Sequence, residues 1–301
     1  MIIAQIIKLA AAKLIINKFN NPYFEIEILL SHILKKPREF ILTHPEYKLN
    51  KKQISDFNFL IFKKLKNQPI AYLIKQKEFF DLKFFVNKDV LIPRPETELI
   101  VEETLKLATN SAQSITFIDI GTGSGCIVIT LAKLLNQKSK IKNQNLIGID
   151  ISKKALCIAR KNAQMHNVSK NIKFFHGNLL KPIIQNIKHE IQNTKYIITA
   201  NLPYLTLTQI KNSPSIKYEP KKALNGGKNG LKLYEKLFKQ INNLIKNTKY
   251  KIQNTFFILC EIDPSQTIQI KQLVKKYLPK SKLQIKKDLA GLNRLAIINK
   301  N

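Results

Sequence analysis

Three glycines at alternate positions, Gly121, Gly123 and Gly125, stand between an apolar run at 115–120 and an apolar-periodic stretch at 126–135. No other feature of the chain restricts its fold as much. The run reads as a buried strand and the stretch after the glycines as a helix, so strand, turn and helix form one βα unit with Asp119 near the strand's end. The pattern repeats. Apolar segments at 146–149, 172–175, 196–200, 256–262, 282–285 and 295–298 predict further strands, and Asp150 follows the first of these. Ser152 is placed to cap a helix running to about His166, and helices are expected at 231–245 and 265–277. Such alternation predicts an α/β fold, a mostly parallel sheet with helices on both faces. The Asn- and Lys-rich stretches 136–145, 185–194 and 246–254 read as surface loops.

Upstream the texture differs. Ile3, Ile7, Ala10 and Leu14 fall at helical spacing; Asn21 as a cap and Pro22 in the first turn mark the start of a second helix; residues 57–65 repeat apolar residues at the same period. Residues 1–75 therefore read as a small all-α domain. Phe79-Phe80 and Phe84-Phe85-Val86, separated by 81–83, predict a β-hairpin linker over 76–92, and residues 93–301 form the α/β domain. A length of 301 residues suits one large and one smaller domain.

With 44% hydrophobic and 24% charged residues, the chain is neither disordered nor fibrous. The net charge of +31 is a weaker signal than it looks, because 47 of the 51 basic residues are lysine. Bidentate recognition of nucleic acid favours arginine, and the excess is spread evenly, with 13 basic and 5 acidic residues in the first 75. No stable nucleic-acid complex is expected. Cys126, Cys157 and Cys260 are scattered without a Cys-x-x-Cys pair, which argues against a disulfide framework and a zinc site. Lys8 and Lys13 interrupt the apolar N-terminal run, and no window suits a transmembrane span. A cytoplasmic protein with no membrane partner is the expectation.

The chemistry lies in three places. A dinucleotide fingerprint needs a glycine three residues after the second, where this chain has Cys126. The Gly-x-Gly-x-Gly spacing instead resembles motif I of S-adenosylmethionine-dependent methyltransferases. Asp150 stands where an acid can accept bonds from ribose hydroxyls, and the upstream glycine loop favours that role over helix capping. The third place is Asn201-Leu202-Pro203-Tyr204, just after a strand end. A planar amide or exocyclic amine is a poor nucleophile because its lone pair is delocalised. The Asn201 oxygen and a carbonyl of the Leu202-Pro203 turn can accept its two hydrogens, proline stiffens the turn, and Tyr204 can lie on the amide plane and face a sulfonium. His32, His44, His166, His176 and His189 show no ligand spacing, and no serine-nucleophile or Walker motif occurs. Glu261 and Asp263 fall near the same sheet edge, in structural or supporting positions.

Taken together, the motifs resemble the peptide chain release factor glutamine N5-methyltransferases, the HemK family, over nearly the whole length. The match runs through Asn67-Gln-Pro69-Ile-Ala-Tyr72, Glu78-Phe79, Ile92-Pro93-Arg94-Pro95-Glu96-Thr97-Glu98, Asp119 to Gly125, the Asn201 turn, Tyr218-Glu219-Pro220, Gly226-Gly227, Gly230-Leu231 and Asp288-Leu-Ala-Gly291 with Arg294. The resemblance implies a Rossmann-like class I methyltransferase sheet and methyl transfer from S-adenosyl-L-methionine, with S-adenosyl-L-homocysteine as product and no metal. The acceptor would be the glutamine of the Gly-Gly-Gln motif in class 1 release factors. It further implies that Gly121, Thr122, Gly123, Ser124 and Gly125 cradle the methionine end of the cofactor. Asp150 would hold its ribose and Asn178 or Leu179 border the adenine, with Asn201 beside the cofactor. Asn201, Leu202, Pro203 and Tyr204 would clamp the glutamine, and the N-terminal helices would dock the release factor.

Three positions depart from the family pattern. Leu202 replaces a usual proline, Lys75 an expected glycine, and Asn178 a frequent acid. Asn-Leu-Pro-Tyr is also how ribosomal RNA adenine dimethyltransferases spell the turn, but their extra helices follow the catalytic domain. The family that methylates a ribosomal-protein glutamine shares most of the catalytic strings, and the Ala-Tyr…Glu-Phe linker favours the release-factor branch.

Overall fold

The computed structural model describes residues 1–109, 114–137, 144–186, 194–247 and 255–300. The chain forms two units, Met1–Gln76 with Pro214–Tyr218, and Lys77–Ser213 with Glu219–Asn301. His189 and most of the three polar stretches read as surface loops lie outside the described residues.

Five helices build the first unit: Ile3–Ile16, Pro22–Leu34, Arg38–Thr43, Lys51–Leu65 and Ile70–Ile74. Ile3, Leu14, Ile26, Leu29, Leu30 and Phe57 are fully buried in one apolar cluster, which Ile6 joins while Ile7 only borders it. The helix Lys51–Leu65 starts on a reciprocal cap, with the Gln53 amide donating to Asn50 Oδ1 at 2.8 Å and the Asn50 amide to Gln53 Oε1 at 2.9 Å. Asn21 precedes its helix in a left-handed conformation and makes no side-chain cap, contrary to expectation. Lys75 ends the last helix at φ +57°, which explains why glycine suits that position. Tyr218 donates to the Lys66 carbonyl at 2.7 Å within this unit.

The hairpin pairs β1 (Gln76–Phe79) with β2 (Leu82–Phe85). Its turn is Phe80-Asp81, one residue earlier than the sequence suggests, and both residues have positive φ, as two-residue hairpin turns demand. Glu98 Oε1 accepts the Phe80 amide at 2.9 Å, while Phe79 and Phe84 point into the core.

In the second unit β3 (Ser114–Ile120), β4 (Gln144–Asp150), β5 (Ile172–His176), β6 (Thr194–Ala200), β7 (Phe256–Glu261), β8 (Lys282–Lys287) and β9 (Asn293–Lys300) form one sheet, ordered β5-β4-β3-β6-β7-β9-β8. β9 runs antiparallel to both neighbours; the other neighbouring pairs are parallel. Two apolar clusters involve the sheet. One joins Tyr234, Leu237, Phe238 and Ile241 to Ile198 and Ile258, and the other joins Val128, Ile129 and Ala132 to Phe117 and Leu259. This is the two-faced burial that parallel strands require. The register pairs Ile120 with Ala200 and Asp119 with Gly148, so the turns after β3, β4 and β6 emerge along one edge, the ligand-binding edge of such sheets.

Candidate active site

The glycine loop leaves β3 with Gly121, Gly123 and Gly125 at φ +74°, +55° and +84°, a region that side chains with a Cβ adopt only under strain. The amides of Gly121 and Thr122 both donate to the Ile149 carbonyl, at 2.8 and 3.0 Å. At Gly125 a Cβ would stand 2.7 Å from Ile129 Cδ1 and 3.3 Å from Ala159 Cβ, so a side chain there would also have to displace Ile129. Asp119 fastens the loop from below. It is buried, accepting from Thr122 Oγ1 at 2.7 Å and from Thr199 Oγ1 at 2.9 Å. Burial raises its carboxyl to about 6, with both hydroxyls pulling the other way. Thr122 thus spends its hydroxyl on Asp119, and Ser124 is buried with its carbonyl accepting from Asn162 Nδ2 at 2.8 Å.

Asp150, at the end of β4, accepts from the Gly123 amide at 2.9 Å and the Ser152 amide at 2.8 Å, one on each oxygen. Burial raises its carboxyl and these amides lower it. Each oxygen keeps lone-pair capacity for a further donor. Ser152 also caps its helix as expected, accepting from the Ala155 amide at 3.2 Å.

The Asn201 turn is held from several sides. Asn201 Nδ2 donates to Thr97 Oγ1 at 2.9 Å. The Leu202 amide donates to the Tyr234 hydroxyl at 3.2 Å, whose single proton is shared between the Ala200 carbonyl, at 3.2 Å, and the Glu261 carbonyl. A proline at 202 would have no such N–H, so Tyr234 supplies the partner that leucine needs. A Cβ on Gly121 would meet Leu202 Cδ2 at 3.2 Å, so the two turns are in contact. The Pro203 carbonyl lies under Gly226, where a Cβ would come within 2.5 Å, and the Tyr204 carbonyl accepts from Gln266 Nε2 at 2.8 Å. Tyr204 donates its hydroxyl to Glu261 Oε1 at 3.0 Å. Burial, together with the Glu261 charge, raises the phenol's pKa.

These turns line a cavity of about 610 Å³. Residues 88–94 and Thr97 form one wall and Pro220 to Ala223 with Asn225 another. Glu219, buried, ties the first wall down by accepting the Ile92 amide at 3.0 Å and the Arg94 guanidinium. Gly121 to Ser124, Asp150, Asn178, Leu179, Asn201, Leu202 and Pro203 face this space together. Gly125 and Tyr204 are outside that lining, Gly125 packed against the following helices and Tyr204 turned onto Glu261. The size suits a nucleoside-containing ligand, and the walls are mainly apolar with a few convergent polar groups.

Sequence reasoning missed Thr97, Tyr234, Asn162 and Gln266. Thr97 and Glu219 sit inside quoted strings but gave no hint of their partners. Tyr234 occupies an ordinary core position of its helix. Three of the described histidines do local work: His176 Nε2 lies 3.0 Å from the Ile151 carbonyl and His166 Nε2 2.9 Å from the Lys83 carbonyl, while His44 stacks on Phe40. Among the described residues no three His, Cys, Asp or Glu side chains could hold a metal ion, and no helix is long and apolar enough to cross a membrane.

Sheet order, the antiparallel β9 and a glycine loop beside an Asn-x-Pro-Tyr turn define a class I methyltransferase domain. Residues 111–281 match the family model described as methyltransferase domain, and residues 5–74 match that of the PrmC N-terminal domain. The chain is 39% identical to the release factor glutamine methyltransferase of Buchnera aphidicola subsp. Acyrthosiphon pisum, over 86% of this chain and 85% of that protein. It is 34% identical to the protein of that name from Thermodesulfovibrio yellowstonii, over 95% of this chain and 96% of the relative. Among solved structures, the hMettl16 catalytic domain in complex with MAT2A 3'UTR hairpin 6 shares the fold, with a TM-score of 0.54 and 14% identity, covering 89% of this chain and 91% of that one. The chain belongs to the release factor glutamine methyltransferase family.

Proposed function

We propose that this enzyme transfers a methyl group from S-adenosyl-L-methionine to the side-chain amide N5 of the glutamine in the Gly-Gly-Gln motif of class 1 peptide chain release factors. The observation that carries the reading is the Asn201 turn packed against the glycine loop, in a chain that matches release factor glutamine methyltransferases along most of its length.

The residues fit the cofactor. The left-handed Gly121 and Gly123 bring backbone close to the cavity, Asp150 offers spare lone pairs for ribose hydroxyls, and Asn178 and Leu179 line the part of the cavity assigned to adenine. When bound, the cofactor supplies an electrophilic methyl group on a sulfonium. Asn201 Oδ1 and the Leu202 carbonyl accept the two hydrogens of the acceptor amide and aim its nitrogen into the cavity. The Leu202 carbonyl takes this part because the Pro203 carbonyl is packed against Gly226 and the Tyr204 carbonyl accepts from Gln266. Positioning then replaces a strong base as the source of rate. Tyr204 anchors the turn through Glu261.

The helical unit serves as the docking surface for the release factor. Its exposed Phe24, Phe59 and Phe62, each beneath a cation from Arg38, Lys63 and Lys66, suit a protein partner. The cytoplasm, where translation takes place, is the proposed location. Methyl transfer to a purified release factor, run beside ribosomal particles stripped of release factors, tests the reading. Label in the release factor alone supports it, and label in ribosomal RNA or a ribosomal protein refutes it.

A further inference from the structure

Asparagine is a weak helix former, and its amide is costly to bury unless its hydrogen bonds are met. Asn162 nevertheless stands inside the helix Lys153–Met165 and is 0% exposed. Its Oδ1 accepts the Phe85 amide at 2.8 Å, and its Nδ2 donates to the Phe85 carbonyl at 3.0 Å and to the Ser124 carbonyl at 2.8 Å. Both N–H groups and an oxygen lone pair are thus spent on backbone alone. Toward Phe85 the side chain behaves as a strand neighbour would, exchanging both bonds with one residue. The same helix end holds β2 at further points. His166 Nε2 donates to the Lys83 carbonyl at 2.9 Å, the His166 ring packs on Phe84, and Lys161 Nζ lies 3.4 Å from the centre of the Phe85 ring. Toward the glycine loop, Ala159 packs against Gly125 one turn before Asn162. Neither Phe85 nor Asn162 lines the cavity, but Ser124 does, and so does the wall that begins at Lys88, three residues after Phe85. One buried amide therefore joins two walls of the cavity from behind.

We propose that Asn162 is a positioning residue for the cofactor: by tying the end of the hairpin to the glycine loop, it makes cofactor binding and the seating of β2 one linked equilibrium. The bond to the Ser124 carbonyl fixes the peptide plane between Ser124 and Gly125, and the bonds to Phe85 fix the point from which residues 88–94 set out. Walls held in this way lose less freedom when a ligand fills the space between them, so binding costs less. Linkage is reciprocal. Whatever affinity the seated hairpin adds for the cofactor, the cofactor returns as stability of the seated hairpin. The hairpin is where the chain passes from the first unit into the second, so occupancy of the cavity is registered at that passage. The inference rests on the reading of the cavity as the S-adenosyl-L-methionine site and leaves the Asn201 turn unaffected.

The probe is S-adenosyl-L-homocysteine, with amide hydrogen exchange read residue by residue in the full-length enzyme. Saturating the wild type should slow exchange of the Phe85 amide by about 5- to 50-fold more than that of the amides of β8, the outer strand at one edge of the sheet. Asn162→Ala should raise the calorimetric Kd for the probe by about tenfold or more and the cofactor KM in step, with kcat at saturating cofactor within about threefold of wild type. In that variant the probe should no longer protect Phe85. Exchange at Phe85 that the probe leaves unchanged relative to β8 overturns the proposal. So does a folded Asn162→Ala enzyme that is less heat-stable but keeps the wild-type Kd, or one that loses kcat at unchanged Kd and KM. If Asn162→Ala does not fold, the exchange measurement on the wild type decides alone. A wild type that does not bind the probe removes the cavity reading itself, and this inference with it. Failure of the inference alone shows as binding without protection of Phe85.

Discussion

The main-chain N–H of Leu202 is held by the hydroxyl of Tyr234 at 3.2 Å, a bond that the family's more usual proline could not make. The hydroxyl is fully buried and also serves the carbonyls of Ala200 and Glu261. Tyr234→Phe should therefore cost about 1–3 kcal/mol of stability, the range for orphaning buried polar groups. Leu202→Pro removes one of those orphans, so Tyr234→Phe should cost less in a Leu202→Pro background. Denaturant unfolding of the four proteins measures the coupling, and strict additivity would contradict this account of Leu202.

Glu219 joins two distant parts of the sequence by accepting both the Ile92 amide and the Arg94 guanidinium from a nearly unexposed carboxylate. Removing the carboxylate orphans the buried Ile92 amide and frees a partly exposed guanidinium, so Glu219→Ala should destabilise the enzyme by about 1–3 kcal/mol. Because residues 90–94 wall the cavity, cofactor affinity should fall with it. Unchanged affinity in a folded variant would show that this wall does not need its tie.

Asn201 and Asp150 should separate the two substrates. Asn201→Ala is expected to abolish turnover while cofactor affinity falls little. Asp150→Asn should do the reverse, weakening the cofactor first, and the amide is preferred to alanine because the side chain also orders Gly123 and Ser152. Calorimetry on both variants decides it, since an unchanged cofactor Kd in Asp150→Asn would remove the ribose assignment.

Asp119 predicts a pH effect whose sign is fixed by burial. Its carboxyl is raised to about 6 in the fold from an ordinary value of 3.8, so the folded protein keeps a proton that the unfolded chain has lost. Stability from this group is fullest below about pH 4 and declines as pH rises through 6, by about 3 kcal/mol at most. Asp119→Asn removes that dependence. The difference in melting temperature between wild type and variant should shrink from pH 4 to pH 7 in the wild type's disfavour, and a constant difference would contradict the assignment.

The sheet was legible because its strands are continuous β-branched runs bounded by glycine or polar residues, a pattern that depends on little beyond local burial. The seven sheet strands fall within a few residues of their expected bounds. Asn201 and the glycine loop were legible for a related reason, since strand ends dictate where a parallel sheet binds ligands. The supports were not. Thr97 meets Asn201 across 104 residues of sequence and Tyr234 meets Leu202 across 32, and no local period encodes such meetings. The turn chemistry also misled at Phe80, where a bulky residue takes a left-handed conformation usually left to glycine or asparagine, and at Asn21, whose backbone geometry denies its side chain the cap.

The central claim is best tested by locating the transferred methyl group. The enzyme would be incubated with labelled S-adenosyl-L-methionine and a purified class 1 release factor, and the digested product sequenced by tandem mass spectrometry. Label on the side-chain nitrogen of the Gly-Gly-Gln glutamine, lost when Asn201 is replaced by alanine, is the predicted result. Label elsewhere in the release factor, or none while ribosomal RNA or a ribosomal protein is methylated in parallel, would contradict it.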